Sequence, residues 1–316
     1  MVRTARAGGD DRVNGHGAGR VRVSAVIIFL DACRTLCESV ESVLAQDHCD
    51  LELVLVDDGS SDGSSELAKG YAQRFPDRIR YVDHPSHRNL GMSASRNLGV
   101  AVARGELIAF LDADDIWLPG KIAEQVALFD AHPGLGMAYG RTQIWHSWDP
   151  AQTGAADYFY PLGVEPDHVY PPRALLGQLI ENRVQTPTTC NAMFSRAAFA
   201  AAGGFEESFR GQYEDQLFFA KLYLRSATYV ASACWARYRQ YADRPATTFS
   251  RPAYFGERRR LVRRLLLRAL PFWGRLGART RGLLLRDLWR AHFPQLADRL
   301  LRWQEARPQR PGPGTA

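Results

Sequence analysis

Three apolar runs stand out in the first 115 residues of the chain, and each gives way to polar or acidic residues. Residues 21–29 read VRVSAVIIF, residues 51–61 read LELVLVDDGSS and residues 107–115 read LIAFLDADD. Such runs, rich in β-branched residues and closed by turn formers, predict strands covered on both faces, the pattern of a parallel sheet. Between the first two, residues 31–46 carry Leu36, Val40, Val43 and Leu44 at helical spacing. Strand, helix and strand joined by short connections predict a right-handed parallel crossover. Sheets wound this way bind ligands beyond the carboxyl ends of their strands, so both acidic clusters are expected to open onto one crevice.

The acidic end of residues 107–115 changes the picture from fold to chemistry. In an extended backbone Asp112 and Asp114 share a face while Asp115 points away. Neighbouring carboxylates repel unless a cation lies between them. Hard oxygen ligands suit Mg²⁺ or Mn²⁺, and such an ion completes its shell with substrate phosphates. The pattern therefore predicts a metal-diphosphate site, against the plainer alternative of a solvated acidic turn capping the next helix.

An ordered series of motifs resembles a known family. SAVIIFLDA at 24–32, SVLAQ at 42–46, LELVLVDDGSSD at 51–62 and NLGMSASRNLGVAVARGELIAFLDADDIWLP at 89–119 are followed by GGFEES at 203–208, YEDQLF at 213–218 and YRQY at 238–241. Together they are similar to family 2 glycosyltransferases, over roughly residues 21–245. The resemblance implies a GT-A fold: a Rossmann-like, mostly parallel α/β sheet flanked by helices. It implies transfer of a sugar from a nucleotide-sugar donor with inversion at the anomeric carbon, aided by Mg²⁺ or Mn²⁺. By the same resemblance Ile28, Asp58 and Asp112 fall at nucleotide-binding positions, Asp58 facing the base, where an imide N–H would favour UDP or dTDP. Asp114 falls at the metal ligand. Asp215 matches the general base that takes the acceptor hydroxyl proton; a carboxylate interacting with a helix N-terminus is the alternative. Glu214, Arg239 and Tyr241 stand where phosphate or acceptor contacts are expected.

Three positions depart from the family pattern. Ile28 replaces the usual proline after the first strand, and Asp31 the usual asparagine. Tyr241 stands where histidine often lies near the metal and diphosphate; a phenol can donate to phosphate but is a poorer metal ligand. The Q-x-x-R-W signature of processive synthases is not found after Asp215, which argues against long-chain polymerisation. A catalytically silent nucleotide-sugar-binding or scaffold protein on the same fold, and a nucleotidyltransferase, remain the competing readings. The second would need a Gly-rich basic loop after the first strand, and FLDACRTL is not one.

With 316 residues, 46% of them hydrophobic, the chain can bury one large α/β core and an appendage. Residues 1–20 read as a disordered leader without an apolar core, and 311–316 as a disordered tail. Residues 21–250 are expected to form the transferase domain, 21–120 binding the nucleotide and 121–250 the acceptor. Five cysteines without metal spacing point to a reducing compartment, with Cys33 and Cys37 expected as small core residues. Charge is concentrated in residues 251–310, where sixteen arginines and no lysine face four acids. Leucine and tryptophan recur there at helical intervals, so an Arg-rich amphipathic extension is expected. It would either meet an anionic membrane surface through residues 255–305, or pack on the domain with a solvated basic face. The few aromatics and missing motif argue against nucleic acid. A cytoplasmic enzyme, peripheral at the inner face of the membrane, acting on saccharide or lipid-linked saccharide acceptors for cell-surface polysaccharide or glycolipid synthesis, is the resulting expectation. Residues 140–172, rich in Pro, Gly and aromatics, read as an irregular insertion suited to a substrate loop, and 186–194 resemble the family's strand behind the acceptor site.

Overall fold

The structure is a computed structural model that describes residues 21–48, 50–149, 155–210, 212–241, 251–293 and 295–296, with the backbone alone for 251–255. The leader at 1–20, the tail at 311–316, Cys49 and most of 294–310 lie outside the described residues.

The three apolar runs become strands β1 (Val23–Phe29), β2 (Leu51–Asp57) and β4 (Leu107–Asp112), with every residue but Asp112 buried. With β3 (Ile79–Asp83) they pair in parallel in the order β3-β2-β1-β4. The sheet continues through β8 (Met193–Ser195), antiparallel to β4 and to β6 (Leu135–Trp145), and then β9 (Ala227–Arg239), parallel to β6. β5 (Ile116–Trp117) and β7 (His168–Tyr170) pair antiparallel with β9. The expected mixed, mostly parallel sheet is therefore present, and its carboxyl ends gather Asp57–Asp58, Asp112–Asp115 and Arg239.

Helices cover both faces, as the uninterrupted strands require. α1 (Leu36–Leu44), α2 (Ser64–Arg74) and α4 (Lys121–Ala131) border one apolar cluster, in which Leu36, Val40 and Val43 pack with Ile27, Leu55 and Leu111. α3 (Met92–Val102), α5 (Leu176–Glu181), α6 (Arg196–Ala202) and α7 (Glu214–Arg225) border the other. α1 begins later than the periodicity from residue 31 suggests. Asp31 adopts a left-handed backbone (φ 49°) and its carboxylate accepts from the Ser61 amide. Cys33 falls in the turn before the helix and is exposed, and Cys37 is half-buried, so neither is the core residue expected.

α3 approaches the sheet closely enough to require glycine. A Cβ at Gly99 would lie 2.4 Å from a Val26 methyl carbon and 3.1 Å from one of Val56. Gly99→Ala is expected to cost about 1–3 kcal/mol by overpacking, more than the ~1 kcal/mol that alanine gains in helix propensity. A urea midpoint equal to that of the parent would contradict this packing.

The arginine-rich segment forms α8 (Arg251–Ala269) and α9 (Ala278–His292). Leu261, Leu265, Ala269, Leu276, Leu283 and Leu284 join the same core as α7. Several arginines fasten it: Arg268 pairs with Glu206 at 2.7 Å, Arg279 with Glu181 at 3.0 Å, and Arg258 with Asp287. One side of the extension thus packs on the domain. Among the described residues, no helix is long and apolar enough to cross a membrane.

The region read as an irregular insertion is ordered at its start. β6 runs to Trp145, and its pairing with two partners buries both faces, which removed the alternation that marks an exposed strand. Conversely, residues 186–194 contribute only the start of the short β8, and the preceding residues form a turn from which Thr189 reaches Asp112.

Candidate active site

At the carboxyl end of β4 the chain does not stay extended. The Asp115 amide donates to the Asp112 carbonyl at 3.0 Å, closing a turn. The shared face expected for Asp112 and Asp114 is therefore replaced by a bend: Asp112 and Asp114 are half-buried and Asp115 is fully buried.

Each arm of this turn is held by a residue distant in sequence. Asp112 accepts from Arg96 Nη2 at 2.8 Å and from Thr189 Oγ1 at 2.6 Å. The Arg239 backbone amide donates to Asp115 at 2.9 Å, and its guanidinium donates to the Asp114 carbonyl at 2.6 Å while pairing with Glu38. That guanidinium lies 4.6 Å from the Trp145 ring and 4.7 Å from the Trp148 ring. Trp148 also meets Tyr241 edge-on, at 4.9 Å between centroids. Arg239 is thus built into the acidic turn and the aromatic wall beside it.

Arg96, which the pattern of the sequence did not single out, is the junction of the site. It projects from α3, is 3% exposed at the side chain, and places its second nitrogen 3.2 Å from Glu214. One guanidinium therefore joins Asp112 at the end of β4 to the first residue of α7. Asp58 reaches the same helix from the other side: its carboxylate accepts from the Leu90 and Gly91 amides, at 2.8 and 3.0–3.1 Å, just before α3 begins. Asp57 beside it organises the turn, accepting from the Gly59 and Ser60 amides, Ser65 and Tyr81. Burial raises the Asp57 carboxyl, but these donors hold it below the ordinary carboxylate range. Ile28 lies inside the ladder, in register with Val56 and Asp112, and the first residue past β1 is the exposed Leu30.

Glu214 and Asp215 open α7 after Tyr213, whose left-handed backbone (φ 73°) turns the chain into the helix. Asp215 is half-buried and accepts from the Gln216 amide at 2.7 Å. Desolvation raises its carboxyl, against the nearby Arg96 charge. Glu214 is buried, and desolvation and the Asp215 charge push it from 4.5 up to about 7 despite Arg96. A carboxyl raised on folding contributes stability that is full below its unfolded value of 4.5 and lost as pH rises through about 7. Glu214→Gln is therefore expected to gain on the parent in thermal melts at about pH 8 relative to about pH 5.5. An identical difference at both values would contradict the ionisation.

The donor set fits a divalent cation only in part-assembled form. Among the described residues no cluster of three or more His, Cys, Asp or Glu could hold a metal alone. The Asp112 carboxylate is taken up by Arg96 and Thr189, so a hard cation here would rest on Asp114, with water and substrate phosphate as its remaining ligands.

Comparison with known proteins fits this geometry. A model of glycosyl transferase family 2 matches residues 24–203. An uncharacterized glycosyltransferase of Nostoc sp. is 37% identical over 119 residues, covering 38% of this chain and 36% of that protein. The putative glycosyltransferase EpsE of Bacillus subtilis is 38% identical over 111 residues, 35% of this chain and 39% of its own. The match thus spans well under half the length of these relatives. In three dimensions, the S. aureus TarS fragment 1–349 in complex with UDP-GlcNAc superposes with a TM-score of 0.61 at 18% identity, over 86% of this chain and 73% of that one. The mannosyltransferase PcManGT of Pyrobaculum calidifontis in complex with GDP-Man and Mn²⁺ gives 0.55 at 18% identity, over 92% and 77%. At these identities the two structures establish a shared fold.

Proposed function

The chain belongs to glycosyl transferase family 2, and from that premise we propose that it moves a sugar, with inversion, from a UDP- or dTDP-sugar to a hydroxyl of a saccharide or lipid-linked saccharide. The product would enter a cell-surface polysaccharide or glycolipid. The observation that carries this reading is the bridge by Arg96, which joins the acidic turn after β4 to the Glu214–Asp215 pair. This link supports reading the carboxylates on its two sides as one site serving donor and acceptor.

In this proposal Asp58, Asp112 and the backbone around Ile28 receive the nucleotide, and Asp114 would hold Mg²⁺ or Mn²⁺ beside the diphosphate. The bound cation would offset the charge that develops on the leaving diphosphate. Asp215, nearer solvent than Glu214, takes the proton from the acceptor hydroxyl as its oxygen bonds to the anomeric carbon and the bond to the diphosphate breaks on the opposite face. Glu214, buried against Arg96, sets the charge around that base. Arg239 acts by fixing the turn, and Tyr241 by bordering it beside Trp148. Residues 21–120 supply the donor half and 121–250 the acceptor half.

Thermal shifts with UDP-, dTDP- and GDP-sugars, each with and without Mn²⁺, test the reading. A Mn²⁺-dependent shift confined to pyrimidine nucleotides is expected. Equal response to GDP would overturn the base preference, and nucleotide binding without donor turnover would mark a silent binding protein.

A further inference from the structure

We infer that the outward face of α9 is a docking surface for an anionic lipid bilayer. The inward face of this helix is committed: Leu283, Leu284 and Ala291 are buried, and Asp287 turns inward to pair with Arg258. On the opposite side Leu285 and Trp289 stand one turn apart and Phe293 follows where the helix ends, so the three form a short apolar stripe. They are 52%, 39% and 50% exposed, and the Trp289 and Phe293 rings lie 6.1 Å apart between centroids. A helix needs one apolar face to pack on its domain; this one has two.

The chemistry of the flanks selects the occupant. Projecting the helix at 100° per residue places Arg281 and His292 along one border of the stripe and Arg279, Arg286 and Arg290 along the other. Asp287, the acid of this helix, is buried and pairs with Arg286 at 3.3 Å as well as with Arg258, and Arg279 pairs with Glu181 at 3.0 Å. An apolar stripe of Leu, Trp and Phe bordered on both sides by arginine suits the boundary between acyl chains and anionic headgroups, where Trp also settles. Because α9 is fastened through Arg258 and the shared core, the face is presented rigidly by the catalytic domain. This inference does not depend on which sugar is transferred, and donor binding is read beside it so that the two can fail separately.

The test uses the full chain and co-sedimentation with phosphatidylcholine vesicles, with and without phosphatidylglycerol. The parent is expected to bind the anionic vesicles at least about tenfold more tightly than the neutral ones, and to weaken as salt shortens the Debye length. Substituting serine at Leu285, Trp289 and Phe293 together should reduce anionic-vesicle binding at least about tenfold, a loss of ~1.4 kcal/mol or more. The melting temperature and the UDP–Mn²⁺ thermal shift should not change. Should that variant fold poorly, Arg286→Glu with Arg290→Glu should give the same loss with the stripe intact. Vesicle binding unaffected by both variants, or indifferent to lipid charge and salt, would overturn the inference. So would a stripe-dependent dimer in light scattering without lipid binding, which would make a second copy the occupant.

Discussion

Replacing Asp215 with asparagine is expected to slow sugar transfer by about 10²- to 10⁴-fold, the usual worth of a positioned base, while nucleotide affinity stays close to that of the parent. Asparagine retains an oxygen to accept from the Gln216 amide, so the first turn of α7 is preserved. What it loses is the ability to take a proton at neutral pH. Nucleotide binding is assigned to the ends of β1, β2 and β4, so the two effects separate. The pH profile adds a second readout. A base whose carboxyl is raised by desolvation loses activity, as pH falls, at a higher pH than an ordinary carboxylate. That acidic limb should be absent from the residual activity of Asp215→Asn. Parent-like single-turnover transfer would move the base to Glu214.

The second large effect is expected at the metal position. Asp114→Ala should reduce the Mn²⁺-dependent part of UDP affinity at least about tenfold, or more than ~1.4 kcal/mol, with metal-free binding little altered. The structure makes this a cleaner test than Asp112→Ala. Asp114 serves the turn through its backbone carbonyl, which receives the Arg239 guanidinium and survives in alanine. Asp112 serves it through its carboxylate, and removing that would leave the buried Arg96 with one partner fewer and Thr189 without this acceptor. Calorimetric titration of UDP with and without Mn²⁺ decides the matter, and unchanged metal-dependent affinity would remove Asp114 from the site.

How much of this was legible in the sequence follows from the range over which each feature is determined. Strands β1, β2 and β4 were legible because burial on both faces leaves continuous apolar runs that end where the ladder ends. The position of the acidic clusters at the mouths of those strands followed directly. The geometry of 112–115 did not, because the turn is closed by a bond between Asp115 and Asp112 and held by Arg239, 125 positions from Asp114. Arg96 escaped for the same reason, since its partner Glu214 is 118 positions away. One local signal was available: Arg96 shares a helix face with Gly99 and Val100, the side that packs on the sheet, and an arginine there needs buried anionic partners. Cys33 and β6 were misread at their boundaries, where a left-handed Asp31 delays the helix and two-sided pairing hides the strand. The arginine-rich extension divided along its own helices. Its packing residues could be named only once the core they join was known, and the exposed stripe of α9 only once those were subtracted.

The central claim is that the cleft between the acidic turn and α7 breaks the bond between sugar and diphosphate with inversion. Its most direct test is slow hydrolysis of a nucleotide sugar, with water in place of the acceptor, followed by proton NMR before the released sugar mutarotates. The account predicts that the inverted anomer appears first, that its formation needs Mn²⁺, and that it is lost in Asp114→Ala and strongly slowed in Asp215→Asn. Release of the retained anomer first, or hydrolysis at the parent rate in both variants, would contradict it.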